Sequence, residues 1–150
     1  LCVMMNKNLS IGYIDISTEL PLPLADEGIK AGFPSPAQDY MDASIDLNKE
    51  LVKHPSTTFY GRVKGDSMID ANVFDGDILV IDKSLEPQSN DMAVCFIDGE
   101  FTLKFIEIHD DIVCLIPANP SYPTMKITSD HELIIWGIVT YVIHKAQKRK

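Results

Sequence analysis

The sequence is short of cysteine, of histidine in any ordered spacing, of positive charge and of long apolar runs, and each shortage removes a class of function. Its three cysteines, Cys2, Cys95 and Cys114, are odd in number and form no CxxC pair, which argues against a disulfide framework or a thiolate metal knuckle. Cys95 in "MAVCFI" and Cys114 in "IVCLIP" lie in apolar runs, where a thiol is a small buried hydrophobe and a reducing, intracellular setting suits it. The four histidines, His54, His109, His131 and His144, stand in no HExxH or other metal spacing, so neither a zinc site nor any cofactor is implied. Asp75-Gly76-Asp77 is a turn without the ligand spacing of an EF-hand loop. Thirteen Lys and Arg face 22 Asp and Glu, a formal charge of −9. A polyphosphate backbone is on average repelled by such a surface, so direct sequence-specific DNA binding is not expected. The basic tail Lys145, Lys148, Arg149, Lys150 is read as a solvated terminus. No apolar run approaches the ~20 residues that span a bilayer, and the opening "LCVMMNK" is too short for a signal-peptide core. The expectation is a cytoplasmic protein with no membrane contact.

What is present is enough apolar sequence, 45% of 150 residues, for one ordinary globular core. Residues 1–36 carry Pro21, Pro23, Pro34 and Pro36 without sustained periodicity and are expected to form a flexible arm. Residues 37–150 are expected to form the folded domain. From Ala37 to His54 the apolar spacing predicts a helix, with Asp46 as a cap for the "LNKELVKH" turns and Pro55 as the stop. Beyond Pro55 the segments "TTFYGRVK", "DILVID", "DMAVCFID", "EFTLKFIEI", "DIVCLIP", "TMKI" and "LIIWGIVTYVIH" are β-branched or aromatic and separated by turn residues. The fold class expected is therefore mainly β. Asp98-Gly99 is the strongest hairpin signal, since a type I′ turn needs positive φ at both central residues.

Two short features could carry chemistry. "VKGDSMID" presents Ser67 in a Gly-Asp-Ser turn, which turn propensity alone would explain. In "EFTLKFIEI" the alternation puts Thr102, Lys104, Ile106 and Ile108 on one face and Phe101, Leu103 and Phe105 on the other. A lysine among isoleucines is drawn partly out of water, which favours the neutral amine and so a general base. Against this, most strand lysines simply extend their charge to solvent. Periodicity does not pair Ser67 with Lys104, and a Ser-His-Asp arrangement is neither favoured nor excluded by spacing.

The run "FPSPAQDYMDASIDLNKELVKHPSTTFYGRVKGDSMIDANVFDGDILVID", followed by "DGEFTLKFIEI" and "LIPANPSY", resembles the LexA/UmuD family of self-cleaving Ser-Lys peptidases over about residues 31–143. The nearer likeness is to its UmuD-like SOS mutagenesis branch. The resemblance implies a LexA/UmuD C-terminal-domain β fold, related to signal peptidases, with one short helix and an extended N-terminal arm. It implies Ser67 as nucleophile, Lys104 as its base, and the backbone N–H groups of Asp66 and Ser67 as the oxyanion hole. It also implies self-cleavage between Ala31 and Gly32, where a small side chain precedes a glycine that lets the backbone bend. Ala-Gly is the LexA-like form of the bond; the UmuD-like branch is expected to carry Cys-Gly. Pro34 and Pro36 keep the neighbouring chain extended, suited to lying in a cleft as an added strand. The proline-broken stretch before the bond is too short for the DNA-reading domain of a repressor. By implication the protein is a homodimer that responds to a RecA filament on single-stranded DNA. Its shortened product then joins a UmuC-type Y-family translesion polymerase. Two other readings are an interaction module with a vestigial dyad and a processing enzyme acting on other proteins.

Overall fold

The computed structural model describes residues 9–13, 18–24 and 43–146. They fall into two compact units: one takes in Leu9–Tyr13 and the chain from His54 onward, the other the described residues between 15 and 53.

The larger unit is built on one antiparallel sheet. Its strands are β1 (Leu9–Tyr13), β4 (Thr58–Val63), β5 (Ile78–Asp82), β6 (Met92–Ile97), β7 (Glu100–His109), β8 (Ile112–Ile116), β9 (Met125–Lys126) and β10 (Leu133–Ile143). They lie in the order β1-β4-β5-β10-β6-β7-β8-β9. All seven segments read as strands beyond Pro55 are strands, and the mainly β fold stands. The β6–β7 hairpin closes through Asp98 at φ 47 and Gly99 at φ 85, the positive angles a type I′ turn demands.

Alternation along the central strands gives the sheet two apolar faces. On β6, Val94 packs with Val63, Met68, Leu79, Ile81 and Leu103, while Ala93, Cys95 and Ile97 pack with Ile106, Leu115 and Ile138. The β10 strand keeps its apolar residues on both faces through a bulge between Ile135 and Gly137. Gly137 leaves room for the Ile81 side chain of β5, since a Cβ there would meet Ile81 Cγ2 at 2.6 Å.

The smaller unit differs from its expected form. The helix predicted over Ala37–His54 is confined to α1 (Leu47–Leu51); residues 37–42 lie outside the described residues, and Ala43–Ile45 form β3 instead. There, the register is Leu22↔Ile45, Pro23↔Ser44 and Leu24↔Ala43, with β2 (Leu22–Leu24) as partner. Five helical residues are too few to be stable by propensity, and the ladder offers 43–45 partners that an isolated helix would not. Asp46 does cap α1, accepting from the Asn48 N–H at 3.1 Å, and the helix ends before Pro55. Leu9–Tyr13, within the stretch read as an arm, pairs with β4 at the sheet edge.

Candidate active site

The serine turn follows β4 directly. Gly65, at φ 96, makes a bend that a side chain would strain, and its N–H is held by Asp75 Oδ1 at 2.9 Å. This tie joins the serine turn to the Asp75-Gly76-Asp77 turn before β5. Past Ser67, Met68 is 2% exposed and anchors the turn in the core. The hydroxyl of Ser67 is thus carried on a loop fixed at both ends.

Lys104 comes from the middle of β7, opposite Ala93 of β6. Its Nζ lies 3.2 Å from Ser67 Oγ, 2.8 Å from Thr102 Oγ1 and 3.0 Å from the Leu103 carbonyl oxygen. Burial lowers its pKa below the ordinary lysine value. A thiolate at Cys95 would oppose that shift by holding the lysine charged. Burial, however, pushes the Cys95 thiol up to about 12. At neutral pH the neighbour is therefore an uncharged thiol, and desolvation of Lys104 stands unopposed. A neutral amine has two N–H groups and one lone pair. In the charged form Nζ donates to Ser67 Oγ, Thr102 Oγ1 and the Leu103 carbonyl; once it loses a proton, Thr102 and Leu103 can keep the two remaining hydrogens and the lone pair is left for the serine proton.

A cleft of about 240 Å³ opens over this pair, lined by Lys64, Gly65, Ser67, Met68, Lys104 and Tyr122 among others. The backbone N–H groups of Asp66 and Ser67 have no acceptor among the described residues. The structure thus brings Ser67, Lys104 and the two amides to one place. Ala31 and Gly32 lie outside the described residues.

Three residues at the site carried no role in the sequence reading. Thr102 was legible as the same-face neighbour of Lys104 but was not singled out. Asn119 and Tyr122 belong to "LIPANPSY", and only the fold brings them to the serine turn. Asn119 Nδ2 donates to the Asp66 carbonyl at 2.9 Å, and Tyr122 Oη donates to Asp66 Oδ1 at 2.6 Å. The bond to Asp66 raises the Tyr122 pKa above its ordinary value, since ionisation would lose the donor. Asp66 itself serves the turn.

Among the described residues no helix is long and apolar enough to cross a membrane.

Residues 23–140 match the peptidase S24-like family model. Protein SamA of Salmonella typhimurium is 42% identical over 125 residues, 83% of this chain and 86% of that protein. Protein MucA of Escherichia coli is 41% identical over 121 residues, 80% of this chain and 82% of its own length. Protein ImpA of Shigella flexneri is 39% identical over 126 residues, 84% and 86% of the two chains. With more than half of its length covered by that model and relatives near 40% identical over most of both chains, this chain belongs to the peptidase S24-like family.

Proposed function

We propose that the protein is a UmuD-like self-processing serine peptidase which cuts its own chain between Ala31 and Gly32. The single observation that carries this reading is the 3.2 Å approach of Ser67 Oγ to a partly buried Lys104 Nζ, which has two further acceptors in Thr102 Oγ1 and the Leu103 carbonyl. Ser67 attacks the Ala31 carbonyl carbon as Lys104 takes its proton. The N–H groups of Asp66 and Ser67 receive the negative charge that develops on the carbonyl oxygen. Collapse breaks the bond to Gly32 nitrogen, which takes the proton back from Lys104 and leaves an acyl ester on Ser67. Water, deprotonated by Lys104, then releases the ester and restores the hydroxyl.

Residues 1–36 act as the substrate arm and 37–150 as the peptidase and dimerisation domain. Tethering makes the attack intramolecular, and good orientation of this kind is worth up to roughly 7–11 kcal/mol of barrier. One slow turnover per chain is then enough. In this reading a RecA filament on single-stranded DNA stimulates cleavage. The shortened homodimer becomes the regulatory subunit of a UmuC-type Y-family polymerase in the SOS response, in the cytoplasm. Likeness to the SamA, MucA and ImpA proteins supports that placement.

The test is incubation of the purified full chain with and without RecA filament, and separately at alkaline pH, followed by intact-mass analysis. A new chain beginning at Gly32, absent in Ser67→Ala and Lys104→Ala, is the expected result. A cut that persists at the parent rate in Ser67→Ala would sink the mechanism.

A further inference from the structure

The loop after β8 touches the serine turn through four hydrogen bonds, all to residues 66–70. Ala118 N–H donates to the Ser67 carbonyl at 2.9 Å, and the Ala118 carbonyl accepts from Asp70 N–H at 2.8 Å. Asn119 Nδ2 donates to the Asp66 carbonyl at 2.9 Å, and Tyr122 Oη to the Asp66 carboxylate at 2.6 Å. Asn119 is a buried polar residue, 8% exposed. Its amide has one orientation, because Oδ1 accepts from the Ser121 N–H at 2.9 Å and so leaves Nδ2 as the donor toward Asp66.

The Asp66 carbonyl and the Ser67 N–H belong to one peptide group. In a planar trans peptide the C=O and N–H point in opposite directions. A donor that holds the carbonyl therefore sets the direction of the amide. Only one other donor reaches that carbonyl among the described residues, the Ile69 N–H within the turn, at a longer 3.3 Å. We infer that Asn119 is a positioning residue for the oxyanion hole: by holding the Asp66 carbonyl it aims the Ser67 N–H into the cleft, with Tyr122 bracing the same residue through its carboxylate. This rests on the peptidase reading above for its catalytic consequence, but its geometric claim stands apart from it. Asn119 does not touch the reacting atoms. It acts on the amide that does.

The informative variant is Asn119→Asp, which has nearly the same shape, keeps the acceptor for Ser121 N–H and loses the donor to Asp66. The first measurement is the residual dipolar coupling of the Ser67 amide in 15N-labelled full chain. It is expected to change in Asn119→Asp while couplings in β6 and β7 do not. The second is the rate of self-cleavage across pH. The plateau is expected to fall about ten- to a hundredfold, below the cost of deleting an oxyanion donor because the amide is misdirected rather than removed. The pH midpoint, set by Lys104, stays where it was. Asn119→Ala, which adds no charge, falls similarly. The third is iodoacetamide alkylation in the Ser67→Cys background, a displacement that builds no oxyanion. Its rate is unchanged by adding Asn119→Asp.

An unchanged Ser67 coupling overturns the inference whatever the cleavage rate does. So does cleavage by Asn119→Asp and Asn119→Ala at the parent rate, or a shifted pH midpoint with slowed alkylation, which would place Asn119 behind Lys104 or Ser67 themselves. If the parent chain never cuts itself, the peptidase reading fails, and the dipolar coupling alone decides whether Asn119 directs the amide.

Discussion

Ser84 has around it the residue types from which serine hydrolases are commonly built, whereas Ser67 has a lysine and no histidine. At Ser84, just past β5, His54 Nδ1 lies 2.6 Å from Asp82 Oδ2 and 3.2 Å from Ser84 Oγ. Ser84 Oγ donates to Asp82 Oδ1 at 2.7 Å, and Thr57 Oγ1 donates to the same oxygen at 3.0 Å. A triad needs the carboxylate on one imidazole nitrogen and the serine on the other, so that a proton passes through the ring. Here both approach the same nitrogen, and the serine hydroxyl already donates its hydrogen bond to the carboxylate. The Ser84 corner is a fastening between the residues before β4 and the end of β5. At Ser67 the inventory is poorer but the geometry is open: a desolvated lysine faces the hydroxyl, and once neutral it can keep both hydrogens on Thr102 and Leu103 and offer its lone pair to the serine. The lesson is that a nucleophile is made by what its partners leave unused, not by which residue types are near.

The sharpest way to break this comparison is to delete each serine's partner in turn. Ser67→Ala or Lys104→Ala is expected to slow self-cleavage by at least about a thousandfold, since removing either half leaves no activated nucleophile. His54→Ala is expected to leave the cleavage rate where it was. Intact-mass time courses on the three variants read both at once, and a large loss in His54→Ala would overturn the division.

Lys104 adds a pH signature to cleavage itself, which the Ser84 corner does not. Because burial holds its pKa below the ordinary value of 10.5, self-cleavage is expected to rise with pH and level off before that value. The linkage sign follows from the same shift. Below its folded pKa the native state must keep a desolvated ammonium, which costs stability. That cost is relieved as pH rises from the folded pKa toward the unfolded value of 10.5. Lys104→Met is therefore expected to be more stable than the parent chain at neutral pH, with the gain shrinking toward alkaline pH. Urea unfolding at several pH values checks it; a gain that grows with pH would contradict the burial argument.

At the other corner the sign reverses. Burial pushes the Asp82 carboxyl up, but hydrogen bonds from His54, Ser84 and Thr57 outweigh it and hold it below the usual 3.8. Its contribution to stability is present above that unfolded value and is lost as pH falls through the lower folded one. Asp82→Ala is expected to cost about 2–3 kcal/mol at neutral pH, the range for buried hydrogen bonds to a charged acceptor whose donors are left unpaired. The difference narrows in acid. Cleavage per folded molecule is expected to stay at the parent rate.

Much of this was legible in the residues, and the failures have physical reasons. β-branched and aromatic residues set between turn residues marked the seven strands after Pro55, because such side chains suit a pleated, half-buried surface and the signal is local. Alternation within "EFTLKFIEI" placed Lys104 among isoleucines. It did not show that Ile106 is fully buried beside it, since burial depends on strands that come later in the chain. The helix over Ala37–His54 was overread because Ala43–Ile45 carries helical spacing but gains more from pairing with Leu22–Leu24, a partner no local window contains. The meeting of Ser67 with Lys104 came from resemblance, not from spacing. Asn119 and Tyr122 were quoted without a role, because a contact across more than fifty residues has no local sign.

The smallest test is on Ser84 itself. Its hydroxyl donates to Asp82 Oδ1, while its backbone N–H donates to the same oxygen at 2.9 Å. Removing the hydroxyl therefore leaves that oxygen with the Ser84 N–H and Thr57, and strands no buried donor. Ser84→Ala should cost only about 0.5–1 kcal/mol, the net worth of one replaceable hydrogen bond. It should also nudge the Asp82 carboxyl back up toward its ordinary value, because one of the bonds that favours the charged form is gone. Self-cleavage should not change. Chemical denaturation and an acid titration of the variant read the two effects, and a cleavage loss like that of Ser67→Ala would mean that the histidine corner, not the lysine, activates the chain.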